Sequence, residues 1–188
     1  MKKHVFAALF LLGVSGVALA HPGHELNGAY AGFMHPLTGL DHLLVMLAVG
    51  LWAGKLGGNS RWQLPMVFLL MMVVGSVLGI WGLAFTGLET AVAATVMAMG
   101  FLLLISQPLS SFVRFLLVAS FAMLHGMAHG AELPMQATMV TLAGMLVATA
   151  MLHGLGLVLS LQRLRIAKAV HSVIGLLMVS FAAYLLIA

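Results

Sequence analysis

The sequence predicts an all-α, polytopic membrane protein with six transmembrane helices after a cleaved signal peptide. Of its 188 residues, 63% are hydrophobic and only 6% are charged, whereas soluble domains carry ~25% charged residues. The apolar residues also form runs near the ~20 residues that cross a bilayer as a helix. Twelve charged groups, 8 basic and 4 acidic, cannot cover the surface of a soluble domain of this length. A soluble globular protein is therefore excluded.

The first 20 residues have the pattern of a secretory signal peptide. An apolar stretch follows the basic residues Lys2 and Lys3, and the small residues at 18 and 20 fit a cleavage site. The apolar part is too short to span a bilayer. We expect cleavage before His21, so that residues 21–188 form the mature transmembrane domain.

Six apolar segments follow the signal peptide, at about 33–54, 64–85, 88–106, 111–131, 135–161 and 166–187. Glycine, proline and other turn-forming residues separate them. The helices divide into two triplets, which would have opposite orientations in the membrane. The sequence thus allows a 3+3 inverted repeat of the kind found in transporters.

The basic residues predict the orientation in the membrane. With the mature N-terminus outside, every Lys and Arg of the mature chain falls in or beside a cytoplasmic loop: Lys55, Arg61, Arg114, Arg163, Arg165 and Lys168. Such a bias is the positive-inside pattern. We therefore expect a multi-pass protein of the inner membrane with both mature termini in the periplasm. The basic residues are scattered singly, so the net charge of +4 does not indicate a nucleic-acid partner.

Histidine is the anomaly of the composition, with nine residues against four acids and no cysteine. Ionisable side chains within a bilayer are rare and need a partner or a function. Six such residues form two groups, toward the outer ends of the first and fourth helices: His35, Asp41 and His42, and His125, His129 and Glu132. The absence of cysteine excludes disulfides and thiolate ligands.

The fourth-helix group has the spacing of a metal site. His125 and His129 are one helical turn, ~6 Å, apart along the axis, and Glu132 lies on the same stripe. Two imidazoles at this spacing can hold one ion, and a carboxylate can complete the shell or orient a ring. A lone intramembrane histidine usually has a structural role, but three polar groups on one stripe favour metal binding.

The first-helix group is less regular. His35 and His42 are ~10.5 Å apart along a regular helix, too far to share an ion with ~2.1 Å metal–nitrogen bonds. Either Pro36 and Gly39 distort the segment, or His35 lies at the mouth and His42 at a deeper site. Asp41 is either a ligand or the acceptor for an imidazole N–H.

Depth in the membrane links the two groups, because their histidines all lie in the outer half of the bilayer. The two helices can therefore face the same ion. We expect one intramembrane ion site formed by Asp41, His42, His125 and His129. We expect His35 and Glu132 on its outer approach.

Two further sets of residues lie outside this cluster. His21, His24 and Glu25 at the mature N-terminus are candidates for metal capture outside the bilayer. His153 and His171 lie toward the cytoplasmic ends of the fifth and sixth helices. They are either packing residues that hydrogen-bond between helices or steps on the inner half of an ion path.

Two motifs resemble the paired signatures of the HupE/UreJ family of bacterial nickel permeases: His35-x5-Asp41-His42 and His125-Gly126-x2-His129-Gly130-x-Glu132. The signal peptide, the histidine at the mature N-terminus and the six spans also fit, so the resemblance covers the whole chain. One departure is Leu124, where the family pattern has Phe. The resemblance implies secondary uptake of Ni²⁺, with Co²⁺ as a second candidate, for hydrogenase or urease maturation. It also implies that the ionisable residues of both motifs act on the metal.

The chemistry of the residues agrees with transport. Imidazole and carboxylate ligands suit Ni²⁺, Co²⁺ or Zn²⁺, which we expect as a transported substrate rather than a permanently bound cofactor. No Walker A motif is present, so the membrane potential, worth ~2.3 kcal/mol per charge per 100 mV, would drive movement. The partners expected are a divalent metal ion and the lipid bilayer.

Two alternatives stay open at this point. An intramembrane zinc-dependent hydrolase would use the same residue types, although the chain lacks His-Glu-x-x-His and has no catalytic residue that can be named. A haem-binding electron carrier would pair histidines on facing helices but would not need the carboxylates. We expect a transporter rather than an enzyme.

Overall fold

The computed structural model describes residues 28–105, 109–132, 138–161 and 166–187. Within these ranges the chain forms seven α-helices and no strand: α1 (Ala29–Thr38), α2 (Leu40–Leu56), α3 (Ser60–Ile80), α4 (Leu88–Leu104), α5 (Ser111–Glu132), α6 (Thr138–Leu159) and α7 (Ala167–Ile187). The all-α class is confirmed. The predicted signal peptide and the capture residues His21, His24 and Glu25 lie outside the described residues.

Among the described residues, four helices are long and apolar enough to cross a membrane, namely α3, α5, α6 and α7, with 21 or 22 residues each. A fifth candidate span is the pair α1 and α2, which is bent by 87° at its break. Helix α4 is apolar but has 17 residues, which is the lower limit of the ~17–25 residues that span a bilayer. The structure is thus that of a multi-pass membrane protein.

The first predicted segment is not one regular helix, because it breaks at Gly39. Pro36 lies inside α1, and Gly39 has an extended backbone with φ −86° and ψ 116°. The Thr38 hydroxyl donates to the His35 carbonyl at 2.9 Å, satisfying one of the carbonyls left free at the end of α1. Asp41 then lies in the first turn of α2, where a carboxylate is favourable at the positive end of the helix dipole. At this break α1 and α2 meet at an angle of 87°.

Glycines hold α3 and α5 in close contact. Each helix presents two of them to the other, Gly75 and Gly79 on α3 and Gly126 and Gly130 on α5. A Cβ at any of these positions would collide with a backbone carbonyl oxygen of the facing helix, which is the packing expected of small-xxx-small stripes in membranes. Gly126 faces Met72 and, one turn later, Gly130 faces Ser76. The two helices therefore run parallel.

Glycines also allow close packing in two other helix pairs. Helix α6 packs along α1 and α2, where a Cβ on Gly50 would meet the His153 carbonyl and one on Gly54 would meet Ser160. Later positions on α2 face later positions on α6, so α2 and α6 also run parallel. Helices α4 and α7 cross at Gly100 and Gly175. Helix α2 lies in the middle of the bundle, with residues 44–46 and 48–54 buried.

Charged residues are separated to the two ends of the bundle. The described basic residues lie at the end where α2 and α4 finish and α3, α5 and α7 begin: Lys55, Arg61, Arg114 and Lys168. The described acids lie at or near the opposite helix ends: Asp41, Glu89 and Glu132. The ammonium group of Lys55 donates to the carbonyls of Leu103 and Ile105 at 2.7 and 2.6 Å, so it ties the ends of α2 and α4 together.

Candidate metal centre

The two histidine motifs meet at the acidic end of the bundle. The Nε2 atom of His35 lies 3.0 Å from Nδ1 of His129 and 3.1 Å from Oε2 of Glu132. The ligand atoms of these three residues, which we call the outer triad, all lie within 4.8 Å of one another. Two donors at right angles around an ion with ~2.1 Å bonds are ~3.0 Å apart. His35 is therefore at ligand spacing from both His129 and Glu132, and the outer triad is a candidate ion site.

A second group of imidazoles lies directly below the outer triad. The ring centroid of His42 is 4.2 Å from that of His129 and 5.2 Å from that of His125. His125 and His129 are 0% and 1% exposed and His42 is 8% exposed. His129 is common to both groups, since its Nδ1 faces His35 and its ring contacts His42.

Hydrogen bonds leave the inner imidazoles ready to bind a cation. Nδ1 of His42 donates to Oδ1 of Asp41 at 2.8 Å, and Nδ1 of His125 donates to the Phe121 carbonyl at 2.9 Å. Both acceptors lack a hydrogen, so the proton is on Nδ1 and the neutral ring keeps its lone pair on Nε2. Among the described residues, no hydrogen-bond partner reaches the buried Nε2 atoms of His42, His125 and His129. An imidazole with one nitrogen held and the other free is the usual state of a metal-binding histidine.

The charge of the site favours a cation. Two carboxylates, Asp41 and Glu132, border the imidazoles, and their side chains are 23% and 49% exposed. The rings of His125 and His129 beside these carboxylates are almost fully buried. In such surroundings a cation gains more from the carboxylates than it would in water.

The local sequence explains how the histidine motif on α5 both packs against α3 and presents its histidines to α2. Each histidine is followed directly by a glycine, His125 by Gly126 and His129 by Gly130. Neighbouring residues on a helix point ~100° apart, so the glycines admit the backbone of α3 while the histidines face α2. The closeness of α3 and α5 therefore fixes the height and rotation of both rings.

All six residues predicted for the ion site belong to this cluster. The structure realises the distorted form of the first helix: the break at Gly39 brings the His35 and His42 ring centroids to 6.4 Å. It also shows Asp41 as the acceptor for the His42 N–H. His35 and Glu132, predicted on the outer approach, form the tightest group of ligand atoms together with His129.

His153 and His171 are not part of the cluster. His153 is 2% exposed, and the ring of Phe68 lies against it with centroids 4.9 Å apart. The same Phe68 ring lies 6.3 Å from that of His125. His171 is farther away, where its Nε2 contacts the hydroxyl of Ser160 at 2.7 Å.

Sequence reasoning missed Phe68 and Ser160. Phe68 is a fully buried aromatic in an apolar segment, and nothing in its neighbourhood distinguishes it from a packing residue. Ser160 closes α6 and donates to the Leu51 carbonyl at 2.7 Å. A serine at a helix end is common, so its position in the sequence does not indicate that it contacts residues of other helices.

Comparison with known proteins shows the family to which the chain belongs. A family model described as HupE / UreJ protein matches residues 9–185. Protein HupE of Rhizobium leguminosarum bv. viciae is 41% identical over 166 residues, which cover 88% of this chain and 86% of that protein. No solved structure matches. These findings confirm the resemblance and give no support to a zinc hydrolase. The chain therefore belongs to the HupE/UreJ family, a family of metal-ion permeases.

Proposed function

We propose that the protein is a secondary permease that takes up Ni²⁺, with Co²⁺ as a second substrate. The observation that carries the proposal is the buried convergence of both histidine motifs, with three imidazole Nε2 atoms lacking a partner among the described residues. A polar cluster of this kind is unfavourable inside a membrane unless something occupies it. Nitrogen and oxygen ligands without thiolate suit Ni²⁺ and Co²⁺.

The ion binds first at the outer triad and then at the inner imidazoles. Glu132 and His35 are the more exposed members of the cluster, with side chains 49% and 22% exposed, so they meet the hydrated ion and replace its first waters. The ion then passes to His42 and His125, whose lone pairs are already free. His129 takes part in both steps because its two nitrogens belong to different groups.

Six crossings of the membrane fit the directions of the helices. Helices α3 and α5 run parallel, so the chain must return across the bilayer between them, and α4 is the segment that does so. Its 17 residues extend over ~25 Å, close to the ~30 Å of the hydrocarbon core. Helices α2 and α6 also run parallel, so an odd number of crossings must separate them. Helices α3, α4 and α5 provide these crossings. On this account the broken pair of α1 and α2 is one span.

The pattern of helix pairs supports a 3+3 inverted repeat. With the broken pair counted as the first span, glycines join span one to span five, two to four and three to six. If span one is exchanged with span four, two with five and three with six, the same three helix pairs result. The two histidine motifs fall on spans one and four, which the exchange relates to each other. An ion site at the interface of two repeats is typical of secondary transporters.

The basic end of the bundle is the cytoplasmic end under the positive-inside rule. The metal cluster then opens to the periplasm of a bacterial inner membrane, where His21, His24 and Glu25 would capture ions after signal-peptide cleavage before His21. Both mature termini are periplasmic on this topology. The membrane potential draws the divalent cation inward at ~2.3 kcal/mol per charge per 100 mV.

Uptake of radioactive nickel tests the proposal. Cells that lack their own nickel transporter and express the chain should accumulate the metal, and excess cobalt should compete more strongly than magnesium. Zinc and copper as further competitors define the selectivity. Purified protein in proteoliposomes should take up nickel when an inside-negative potential is imposed. No accumulation above vector controls in either assay would contradict the proposal.

A further inference from the structure

The strongest unexplained feature outside the outer cluster is the unpartnered nitrogen of His153. Nδ1 of His153 donates to the Met46 carbonyl at 2.6 Å, so the neutral ring carries its lone pair on Nε2. That Nε2 is buried and has no hydrogen-bond partner among the described residues. A histidine that only packs would usually satisfy both nitrogens when fully buried.

Two observations relate His153 to the outer cluster, its bond to α2 and its contact with Phe68. Met46, whose carbonyl holds His153, is one turn beyond His42 on α2, ~6 Å deeper along the helix. The ring centroid of Phe68 lies 4.9 Å from that of His153 and 6.3 Å from that of His125. His125 and His153 thus each present a free Nε2 lone pair, and the Phe68 ring lies near both of their rings.

The surroundings of His153 add weak, soft donors. Thr149 lies one turn before His153 on α6 and is fully buried. Its hydroxyl lies 3.2 Å from Sδ of Met46 and 3.8 Å from Sδ of Met72. Thioethers are soft ligands that suit Cu(I) better than Ni²⁺, so they would add only weak binding at a position that the nickel ion must leave again.

His171 lacks the feature that singles out His153. The Ser160 hydroxyl donates its hydrogen to the Leu51 carbonyl at 2.7 Å, so Nε2 of His171 is the donor to Ser160. That nitrogen is therefore engaged, whereas the corresponding nitrogen of His153 is free. The two lone histidines of the inner half are thus chemically different.

We propose that His153 is a second, inner ion-binding station and that Phe68 closes the passage between it and the outer cluster. The proposal rests on the proposed uptake function. The ion leaves His125 when the Phe68 ring swings aside, binds Nε2 of His153, and continues toward the basic end of the bundle. The closed ring keeps the two stations from being joined by water, so only one side of the protein is open at a time.

Replacement of His153 by asparagine tests the role of Nε2 as a metal ligand separately from the hydrogen bond to the Met46 carbonyl. The asparagine amide nitrogen takes the place of Nδ1 and still donates to the Met46 carbonyl, while the position of Nε2 is lost. At matched membrane levels and saturating nickel, His153→Asn should lower uptake about tenfold or more, as for loss of a metal ligand or its support. His171→Gln, which keeps a donor to Ser160, should transport within about twofold of the wild type.

Nickel binding to purified protein in nanodiscs shows which step is lost. His153→Asn should keep wild-type affinity at the outer cluster, whereas His129→Ala should lose it. Wild-type uptake by His153→Asn overturns the inner station and leaves the proposed function intact. If the wild type itself neither binds nor transports nickel, the proposed function has failed instead.

A thiol probe covers the case in which His153→Asn does not fold. The chain has no cysteine, so His153→Cys carries a single thiol that a membrane-permeant thiol reagent can label. Saturating nickel should slow labelling of His153→Cys severalfold and leave labelling of His171→Cys unchanged. Equal labelling rates with and without nickel at position 153 would overturn the proposal.

Discussion

Nε2 of His35 lies 3.0 Å from Nδ1 of His129, although the two residues are 94 positions apart and belong to different motifs. The contact depends on two separate local features. The break at Gly39 bends α1 by 87° relative to α2, and the paired glycines of α5 fix the helix that carries His129. Neither motif alone forms the outer triad, since Glu132 and His129 come from one helix and His35 from another.

Removal of single imidazoles from the cluster should abolish uptake. We expect His42→Ala and His129→Ala each to transport nickel close to background even at saturating metal, because a dehydrated divalent ion needs several ligands together. The double variant should be little worse than either single one, since ligands that act as a unit are not additive. Uptake by cells at matched membrane levels is the measurement. Normal transport by both single variants would mean that these histidines are structural.

Asp41 should act through His42 rather than as an independent charge. Asp41→Asn replaces the carboxylate that accepts the His42 N–H at 2.8 Å with an amide that can present a donor instead. We expect nickel affinity to fall about 10–100-fold, the usual effect of losing a carboxylate that orients a metal-binding histidine. Glu89→Gln is the matched control, because Glu89 lies at the same end of the bundle in the first turn of α4, outside the cluster. Equal losses in both variants would point to a general effect of charge.

The sequence predicts the residues of the cluster but not its shape. The i, i+4 spacing of His125 and His129 follows from the helix itself, so that pair was accessible from sequence. The approach of His35 depends on the angle at Gly39, for which glycine and proline show only that a bend is allowed. The separation of His125 from His153 depends on Phe68, which a sequence cannot distinguish from other buried aromatics.

The length of α4 shows a similar limit. The apolar run at 88–106 predicts a full span, and the helix ends at Leu104. The carbonyls freed near that end are held by Lys55 from another helix. Helix ends set by tertiary partners are not visible in local composition.

The N-terminal residues His21, His24 and Glu25 should matter only when metal is scarce. They would lie outside the bilayer, where water can replace each ligand and the ion can reach the outer triad directly. Their joint change to alanine should weaken uptake at low nickel concentration and leave the maximal rate unchanged. The concentration dependence of uptake is the measurement. A lower maximal rate at saturating nickel would contradict a capture role.

The topology gives a further prediction. N-terminal sequencing of the purified protein should begin at His21, and a C-terminal alkaline phosphatase fusion should be active because both mature termini are periplasmic. The physical reason is that the basic residues of the bundle collect at one end. A mature protein that retains Met1, or a fusion that is active only with a cytoplasmic reporter, would contradict six spans after a cleaved signal.

The packing of α3 against α5 should be as important to transport as the ligands. A Cβ on Gly126 would collide with the Met72 carbonyl, so Gly126→Ala must push the helices apart and shift His125. Overpacking of this kind destabilises by about 1–3 kcal/mol or more, and we expect a lower thermal midpoint in detergent together with strongly reduced uptake. Gly154→Ala is the matched control, because a Cβ there meets nothing within 4 Å. Alanine is favoured over glycine in a helix by about 1 kcal/mol, so this control should be unchanged or slightly more stable and should transport normally. If Gly126→Ala matched it in both measurements, the close contact would not be what positions the histidines.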